Sequence, residues 1–156
     1  MKATFAAGCF WGVEEEFSKL KGIISTKVGY TGGKISNPTY EMVCSGETGH
    51  AEAVMIEYNE KVISYSQLLE IFWKIHNPTA LNRQGLDIGT QYRTAIFYHN
   101  LEQKKVALES KEYISSKNTY KNTIVTEIQK FNTFYIAEEY HQKYFQKNKI
   151  NSIFHS

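Results

Sequence analysis

The order of strand-like and helix-like segments over the first two thirds of the chain constrains the fold more than any other feature. Residues 3–6 and 23–30 have the short apolar runs that are typical of β-strands. Between them, residues 10–20 repeat apolar side chains at helical spacing and end at a Lys-Gly pair. The same patterns predict a strand, a helix and a strand at residues 51–58, 65–75 and 92–98. The resulting order is strand, helix, strand, strand, helix, strand, which is that of a split βαβ unit.

The rest of the chain adds less regular segments to this unit. Pairs of turn-forming residues predict long loops at residues 34–50 and 79–91. A helix, a strand and a last helix are expected at residues 101–116, 124–131 and 137–146. Together the patterns predict an α+β fold: a ferredoxin-like two-layer sandwich with a mostly antiparallel mixed sheet and a C-terminal helical extension. We expect a single domain over residues 1–156, with its core at about 3–145 and a tail at 146–156.

Composition and charge exclude several classes of protein. Hydrophobic residues make up 42% of the chain, which excludes a disordered protein, and the net charge of +2 is too small to indicate nucleic acid. No segment has the length of a membrane span and residues 1–7 do not resemble a signal peptide, so we expect no membrane partner. Two cysteines do not form a disulfide framework, which favours a reducing, cytoplasmic compartment. The five histidines lack zinc-ligand spacing, so no metal is expected.

The segment Gly8-Cys9-Phe10-Trp11-Gly12 lies where the first predicted strand turns into the first helix. A helix N-terminus has unpaired N–H groups and the positive end of the helix dipole, so we expect the pKa of Cys9 to be lowered and its thiolate to be reactive. Phe10 and Trp11 would form an apolar wall beside the sulfur. The alternative is that Cys9 is a small buried hydrophobic residue and that both rings belong to the core.

This segment, followed by Glu14-Glu15 and Phe17, resembles the signature of the A-type peptide methionine sulfoxide reductases. Six further segments resemble that family in the same order along the chain. They are Gly29-Tyr30-Thr31-Gly32-Gly33, Asn37-Pro38-Thr39-Tyr40, Val43-Cys44-Ser45-Gly46, Thr48-Gly49-His50-Ala51-Glu52, Asp87-Ile88-Gly89-Thr90-Gln91-Tyr92-Arg93 and Ala137-Glu138-Glu139-Tyr140-His141-Gln142. The resemblance covers roughly residues 4–145, nearly the whole chain.

The resemblance implies a peptide-methionine (S)-S-oxide reductase that repairs oxidised protein. Cys9 would attack the sulfur of a free or protein-bound methionine S-sulfoxide and become a sulfenic acid. The sulfoxide oxygen leaves poorly unless it is protonated, and by resemblance Glu52 is the acid. Strand alternation supports this role, because Glu52 would share a face with Val54, Ile56 and Tyr58 and burial would raise its pKa. The alternative is a surface carboxylate at a strand end.

Further members of the pocket follow from the same resemblance. Tyr40 and Tyr92 would hold the sulfoxide oxygen through their hydroxyl groups. Asp87 would position a water molecule or the substrate backbone. Phe10 and Trp11 would surround the methyl group on the sulfur.

The route by which Cys9 is reduced again departs from the pattern common in this family. Many members have a resolving cysteine in a glycine-rich C-terminal tail, whereas residues 146–156 contain neither Cys nor Gly. Cys44 is the other thiol, so it is a possible resolving residue or simply a small loop residue. The remaining route is attack by an external thiol, from thioredoxin, from glutaredoxin with glutathione, or from dithiothreitol in vitro, with no bound cofactor.

Two other functions were compared with sulfoxide reduction. A ferredoxin-like sheet with exposed aromatic residues could bind single-stranded RNA, but the aromatic pattern of RNA-recognition sheets is not visible. Another thiol enzyme, such as a peroxide reductase, usually needs an Arg beside its thiolate, and no Arg is near Cys9 in the sequence.

Overall fold

The computed structural model describes residues 1–148, which form an α+β fold of eight strands and five helices. The strands are β1 (Lys2–Ala7), β2 (Ile23–Thr31), β3 (Ala51–Tyr58), β4 (Arg83–Gln84), β5 (Asp87–Ile88), β6 (Thr94–Tyr98), β7 (Glu127–Lys130) and β8 (Phe134–Ile136). The helices are α1 (Phe10–Ser18), α2 (Tyr40–Cys44), α3 (Tyr65–Lys74), α4 (Leu101–Ser116) and α5 (Tyr144–Lys147).

Six of the strands form one sheet in the order β7-β6-β1-β3-β2-β8. Every pairing in it is antiparallel except that of β6 with β7, so the predicted mostly antiparallel mixed sheet is confirmed. β1 and β2 both pair antiparallel with β3 and therefore run in the same direction on either side of it. The ends of β1 and β2 and the start of β3 consequently meet at one edge of the sheet.

The main hydrophobic core lies between one face of this sheet and the helices. Phe5 on β1 is fully buried, and its ring centroid is 5.3 Å from that of Phe17 in α1. The same ring lies 6.0 Å from Tyr65 and 5.2 Å from Phe72, which are both on α3. Phe5 therefore joins the first strand to two helices, and its burial supports the junction between β1 and α1.

The opposite face of the sheet is made of small residues. Ala6, Ala51, Ala53 and Ala95 are buried there in a second cluster with Phe97. Side chains from the segment around β8 pack against this cluster, so residues far apart in sequence cover the second face. The two faces of the sheet thus differ in both side-chain size and covering.

Side-chain caps explain where several helices begin. Ser64 accepts a hydrogen bond from the backbone of Gln67 at the start of α3, and the Gln67 side chain accepts one in return from Ser64 N. Asn100 accepts from Gln103 N at the start of α4. The predicted helices at 65–75 and 101–116 are confirmed within one residue.

The two long loops contain more regular structure than the turn residues suggested. Thr39 caps the one-turn helix α2 inside residues 34–50. Residues 79–91 contain the β4–β5 hairpin and the start of a 3₁₀ turn at Thr90–Tyr92, so β6 begins at Thr94 rather than at residue 92. Elements of two to five residues have too few apolar positions to show a period.

The helix predicted at residues 137–146 is wrong. These residues follow β8 as a 3₁₀ turn at Glu139–His141, and α5 begins only at Tyr144, so within residues 1–148 the C-terminal extension is mostly not helical. Lys143 has a φ of 51°, which interrupts any continuous helix. The Gln142 side chain bonds to both N and O of Val28 on β2, and the apolar spacing reflects contacts with the rest of the fold.

The strand predicted at 124–131 is shorter than expected, since β7 covers Glu127–Lys130. The predicted tail at 146–156 lies outside the described residues from position 149 onward. Among the helices of residues 1–148, none combines the length and the apolar character that a bilayer crossing requires.

Candidate active site

Cys9 lies at the junction of β1 and α1, immediately before the first residue of the helix. Gly8 makes the turn with a φ of 97°, which disfavours any other residue. A Cβ on Gly8 would also lie 2.8 Å from the Gln84 side chain in the β4–β5 hairpin. Cys9 is half-buried at this junction, and the glycine before it lies against the hairpin.

The expectation of a lowered pKa for Cys9 is wrong for this structure. Burial raises the pKa of the Cys9 thiol to about 11, and this effect exceeds the stabilising hydrogen bonds from the backbone of Trp11 and Gly12. The charges of Glu52 and Asp87 raise it further. Cys9 therefore holds its proton at neutral pH, although the helix amides are present as expected.

Glu52 lies at the start of β3, opposite Tyr30 in the register of β2. It is 1% exposed, and its Oε1 accepts a hydrogen bond of 3.2 Å from Phe10 N. Its Oε2 is buried and has no hydrogen-bond partner within residues 1–148. Burial raises the pKa of Glu52 from 4.5 to about 7, the Phe10 amide opposes this shift, and the charge of Asp87 adds to it. The predicted burial and raised pKa of this carboxyl are confirmed.

Two glycine-containing loops hold the start of β3. His50 Nδ1 accepts a hydrogen bond of 3.0 Å from Gly33 N, and its Nε2 lies 2.7 Å from Ile35 O. A Cβ on Gly33 would lie 2.4 Å from His50 N, so this position requires glycine. The two family-like segments that contain these residues meet here, and their contact positions Glu52 two residues further along the chain.

Tyr92 ends the 3₁₀ turn before β6 and is half-buried. Burial raises its pKa to about 12, and the charge of Glu52 is the largest electrostatic contribution. The charges of Cys9, Cys44 and Asp87 contribute as well, so all four groups act on the same phenol. Tyr92 is a hydrogen-bond donor at neutral pH.

Tyr40 is the first residue of α2 and is also half-buried. Burial raises its pKa, as do a hydrogen bond with Cys44 and the charge of Glu52. The charge of Glu52 acts on both Tyr40 and Tyr92, so the two predicted oxygen ligands are near the same carboxyl. Both remain protonated donors.

Asp87 reaches the site from the β4–β5 hairpin, where it pairs with Gln84. The Gln84 side chain accepts from Asn77 N at 2.9 Å and donates to Asn77 O at 2.7 Å, which anchors the hairpin. Asp87 is exposed, and its charge acts on both Cys9 and Glu52. The structure thus brings Asp87 together with the predicted nucleophile and acid.

A sequence model of the peptide methionine sulfoxide reductases matches residues 1–155. The chain belongs to this family. The peptide methionine sulfoxide reductase MsrA of Methanosarcina acetivorans is 60% identical over 146 residues, which cover 94% of this chain and 78% of the relative. The crystal structure of Mxr1 from Saccharomyces cerevisiae in reduced form matches with a TM-score of 0.90 at 41% identity, over 96% of this chain and 86% of that one. Mxr1 in complex with Trx2 matches with a TM-score of 0.66 at 31% identity, over 92% of this chain and 84% of that one. The protein is therefore an oxidoreductase that reduces methionine sulfoxide and repairs oxidised protein.

In this reductase the two rings after Cys9 have different surroundings. Phe10 is 1% exposed and packs between Tyr30 and His141, with centroid distances of 5.8 and 5.2 Å. Trp11 is half-buried, stacks on Tyr144 at 3.8 Å, and donates from Nε1 to His141 Nδ1 at 2.9 Å. Trp11 consequently offers more free surface to a ligand than Phe10.

Glu138 is a site residue that the sequence analysis missed. Its Oε1 accepts from the Tyr30 hydroxyl at 2.8 Å, and its Oε2 accepts from Tyr40 N at 2.9 Å. Burial acts to raise its pKa, but these hydrogen bonds leave the pKa of Glu138 below its usual value. The carboxylate thus joins the C-terminal segment to β2 and to the start of α2. Its position in a polar family-like segment was the signal that could have identified it.

His141 is packed in the core of the site and is 1% exposed. Its Nδ1 accepts the Trp11 hydrogen bond, and burial lowers its pKa below the usual value, so the ring is neutral. Its contact with Trp11 was not predicted, because the two residues are 130 positions apart.

Cys44 ends α2 and is exposed, and both Cys9 and Cys44 are free thiols. Burial of its sulfur raises the pKa of Cys44, and the hydrogen bond with Tyr40 opposes that shift. The charge of Glu52 contributes to raising it, so Cys44 lies within electrostatic range of that carboxyl.

The 900 Å³ cavity of this fold lies away from the site at Cys9. Within residues 1–148 no group of three or more His, Cys, Asp or Glu side chains is arranged to hold a metal ion. The cavity of about 900 Å³ lies between α3 and α4, where Trp73 and Tyr113 line it. No cysteine lines that cavity, so a thiol-dependent reaction belongs to the site at Cys9.

Proposed function

We propose that the reductase acts on methionine S-sulfoxide with Cys9 as the nucleophile and Glu52 as the acid. The observation that carries this proposal is the Glu52 carboxyl, which is fully buried and hydrogen-bonded to the amide of the residue after Cys9. Its pKa of about 7 keeps a large fraction protonated at neutral pH. Since Oε1 accepts from Phe10 N, the unpartnered Oε2 is the oxygen that carries the proton.

The proposed reaction moves one oxygen atom from the substrate to the enzyme. The Cys9 sulfur attacks the sulfoxide sulfur while Glu52 donates its proton to the sulfoxide oxygen. The protonated oxygen then passes from the substrate sulfur to the Cys9 sulfur as the bond between the two sulfurs breaks, which releases methionine and leaves Cys9 as a sulfenic acid. The proton of the Cys9 thiol replaces the one that Glu52 gave, so the carboxyl ends protonated. The substrate sulfur is reduced by two electrons and the Cys9 sulfur is oxidised by two.

The remaining site residues would orient the substrate. The hydroxyls of Tyr40 and Tyr92 would donate to the sulfoxide oxygen, because both phenols keep their protons. Asp87 would hold a water molecule or the substrate backbone from its hairpin. Trp11, with Phe10 behind it, would contact the methyl group. A pocket with oxygen donors on one side and rings on the other distinguishes the two sulfoxide epimers, and we assign the S epimer.

For recycling we propose attack by an external thiol. A thiolate attacks the Cys9 sulfenic acid and releases water, and a second thiol then releases Cys9 from the mixed disulfide. Thioredoxin is supported as the donor by the Mxr1–Trx2 complex. Glutaredoxin with glutathione is the alternative, and dithiothreitol would serve in vitro. Cys44 remains a possible resolving thiol, since it lies within electrostatic range of Glu52.

We further propose a ferredoxin-like classification and a cytoplasmic location for a single catalytic domain. The central strand order β6-β1-β3-β2 supports the classification, because it is built from the split βαβ unit. The two unpaired thiols support a reducing compartment. No nucleic-acid or membrane partner is part of the proposal.

Mass spectrometry after a single turnover without reductant tests these roles. The parent protein should gain one oxygen atom on Cys9, Cys9→Ser should gain none and form no methionine, and both should keep the same circular dichroism spectrum. Cys44→Ser should turn over steadily with thioredoxin or dithiothreitol. A Cys9→Ser protein that reduces the sulfoxide would contradict the nucleophile. A Cys9–Cys44 disulfide in the parent protein would replace direct external attack as the recycling route.

A further inference from the structure

We propose that a strip of aromatic side chains beside Cys9 binds the polypeptide that flanks a protein-bound methionine sulfoxide. This inference rests on the proposed function, since it assumes that the sulfoxide is reduced at Cys9. The aromatic strip is made of Tyr140, Tyr40, His141, Trp11, Tyr144 and Phe145. It would give a peptide substrate an affinity that free methionine sulfoxide lacks.

The rings of the strip touch one another without a gap. Tyr140 and Tyr40 both lie against His141, with centroid distances of 4.1 and 4.4 Å. Trp11 lies 5.6 Å from His141 and stacks on Tyr144 at 3.8 Å. The aromatic surface therefore passes directly beside the reactive junction, since Trp11 is two residues after Cys9.

The middle of the strip is buried, and its two ends are exposed to solvent. His141 is buried and receives the Trp11 hydrogen bond, while Tyr140 and Phe145 are 56% and 44% exposed. Phe145 lies 5.8 Å from Tyr144, so it extends the stacked pair toward solvent. Rigid exposed rings lose little conformational freedom when a partner covers them, which makes them efficient contact surfaces.

The substrate itself supplies the occupant of this surface. A peptide methionine sulfoxide reductase must accept a sulfoxide that is part of a chain, and an extended chain advances about 3.3–3.6 Å per residue. Residues within two or three positions of the sulfoxide would consequently lie over rings of the strip that are one or two rings away from Trp11 and Tyr40. Apolar neighbours would bury surface there, whereas the free amino acid has no flanking residues to lie over Tyr140 or Phe145.

The experiment compares free methionine S-sulfoxide with a peptide in which the sulfoxide is flanked by Leu and Phe, using dithiothreitol as reductant. We expect Tyr140→Ser and Phe145→Ser each to lower kcat/KM for the peptide by about fivefold to tenfold, mainly through KM, and to leave the free substrate unchanged. Tyr140→Phe should retain the peptide activity because it keeps the ring. Tyr113→Ser removes a tyrosine of similar exposure from α4 and should change neither substrate.

The outcomes separate this proposal from the proposed function. If the parent protein fails to reduce the free sulfoxide, the proposed chemistry is wrong. If it reduces the free sulfoxide but the strip variants affect both substrates equally, or neither, the aromatic strip is not a peptide site. A second series with thioredoxin as the reductant tests whether thioredoxin, rather than the peptide, binds the strip. A raised KM for thioredoxin with an unchanged KM for the peptide would assign the strip to the reductant and overturn the inference.

Discussion

At the scale of single residues, Glu52 and Cys9 both keep their protons because the fold removes water from them. Burial is the largest cause of both raised pKa values, which are about 11 for Cys9 and about 7 for Glu52. The helix amides act on Cys9 in the direction that the sequence indicated, but they are weaker than the burial. We infer that thiolate formation in this enzyme accompanies substrate protonation rather than preceding it.

The acid role of Glu52 leads to a test by Glu52→Gln. The amide keeps the size of the carboxyl and an oxygen that accepts from Phe10 N, but it has no acidic proton. We expect kcat for methionine S-sulfoxide to fall roughly 10²–10⁴-fold, the range for loss of a general acid. Single-turnover rates of the parent should decline as pH rises through about 7, where Glu52 loses its proton, and the variant should lack this decline.

Methionine binding and circular dichroism serve as controls for that variant, because both should match the parent protein. Retention of the parental rate, or of the decline above neutral pH, would show that another group supplies the proton.

Residue identities at the site were readable from the sequence, whereas their titration was not. The segments around Cys9 and Glu52 identified both residues, and strand alternation predicted the buried face of Glu52. The turn before Cys9 lies against Gln84 of the β4–β5 hairpin, which is more than seventy positions away. Local pattern therefore indicates which groups react, and tertiary contacts determine their pKa values.

At the scale of elements, the junction of β1 and α1 against the β4–β5 hairpin determines where the thiol lies. The hairpin has only two residues in each strand, and Gln84 attaches it to the backbone of Asn77. Gly8 and Gln84 are in contact, so the position of Cys9 depends on the hairpin through one glycine.

Gly8→Ala tests this contact. The new Cβ would lie 2.8 Å from the Gln84 side chain at a φ of 97°, so the junction or the hairpin must shift. We expect a loss of about 1–3 kcal/mol in the free energy of unfolding and a decrease of about 10²-fold in kcat/KM from the displaced sulfur. Urea unfolding and initial rates measure the two effects.

Gly85→Ala is the matched control, because Gly85 lies in the same hairpin with a φ of 58° and has nothing within 4 Å of a new Cβ. Gly85→Ala should lower the free energy of unfolding through backbone strain but leave the activity unchanged. Equal activity losses in both variants would mean that the contact with Gln84 has no role in positioning Cys9.

Elements with long periodic patterns were predicted well, and short ones were not. α3 and α4 have ten and sixteen residues and matched within one residue. The segment at 137–146 has helical spacing but gains its hydrogen bonds from other elements, through Glu138 and Gln142. A pattern of apolar positions records which side chains are buried and does not determine the backbone that buries them.

At the scale of the whole molecule, Glu52, which must be protonated for catalysis, makes the stability of the fold depend on pH. The folded protein holds a proton on Glu52 up to a pH of about 7, whereas the unfolded chain releases it near 4.5. Stability from this group is therefore complete at low pH and is lost as pH rises between these two values.

Glu52→Gln should remove this dependence of folding stability on pH, in addition to its effect on catalysis. As pH rises from acidic values to about pH 8, we expect the free energy of unfolding of the variant to increase relative to that of the parent by roughly 2–3 kcal/mol, because the glutamine never ionises. Chemical denaturation at a series of pH values measures the difference. A constant difference across this range would mean that the parent carboxyl is not buried as a neutral group.

The C-terminal segment supplies the groups that complete the catalytic centre. The four central strands and α3 are complete once residue 98 has been made. Trp11 and Tyr40, however, gain their partners His141, Tyr144 and Glu138 only from the last part of the described chain. The catalytic centre is thus completed from the far end of the described chain, and a product that stops before residue 138 would lack the groups that hold Trp11 and Tyr40 in place.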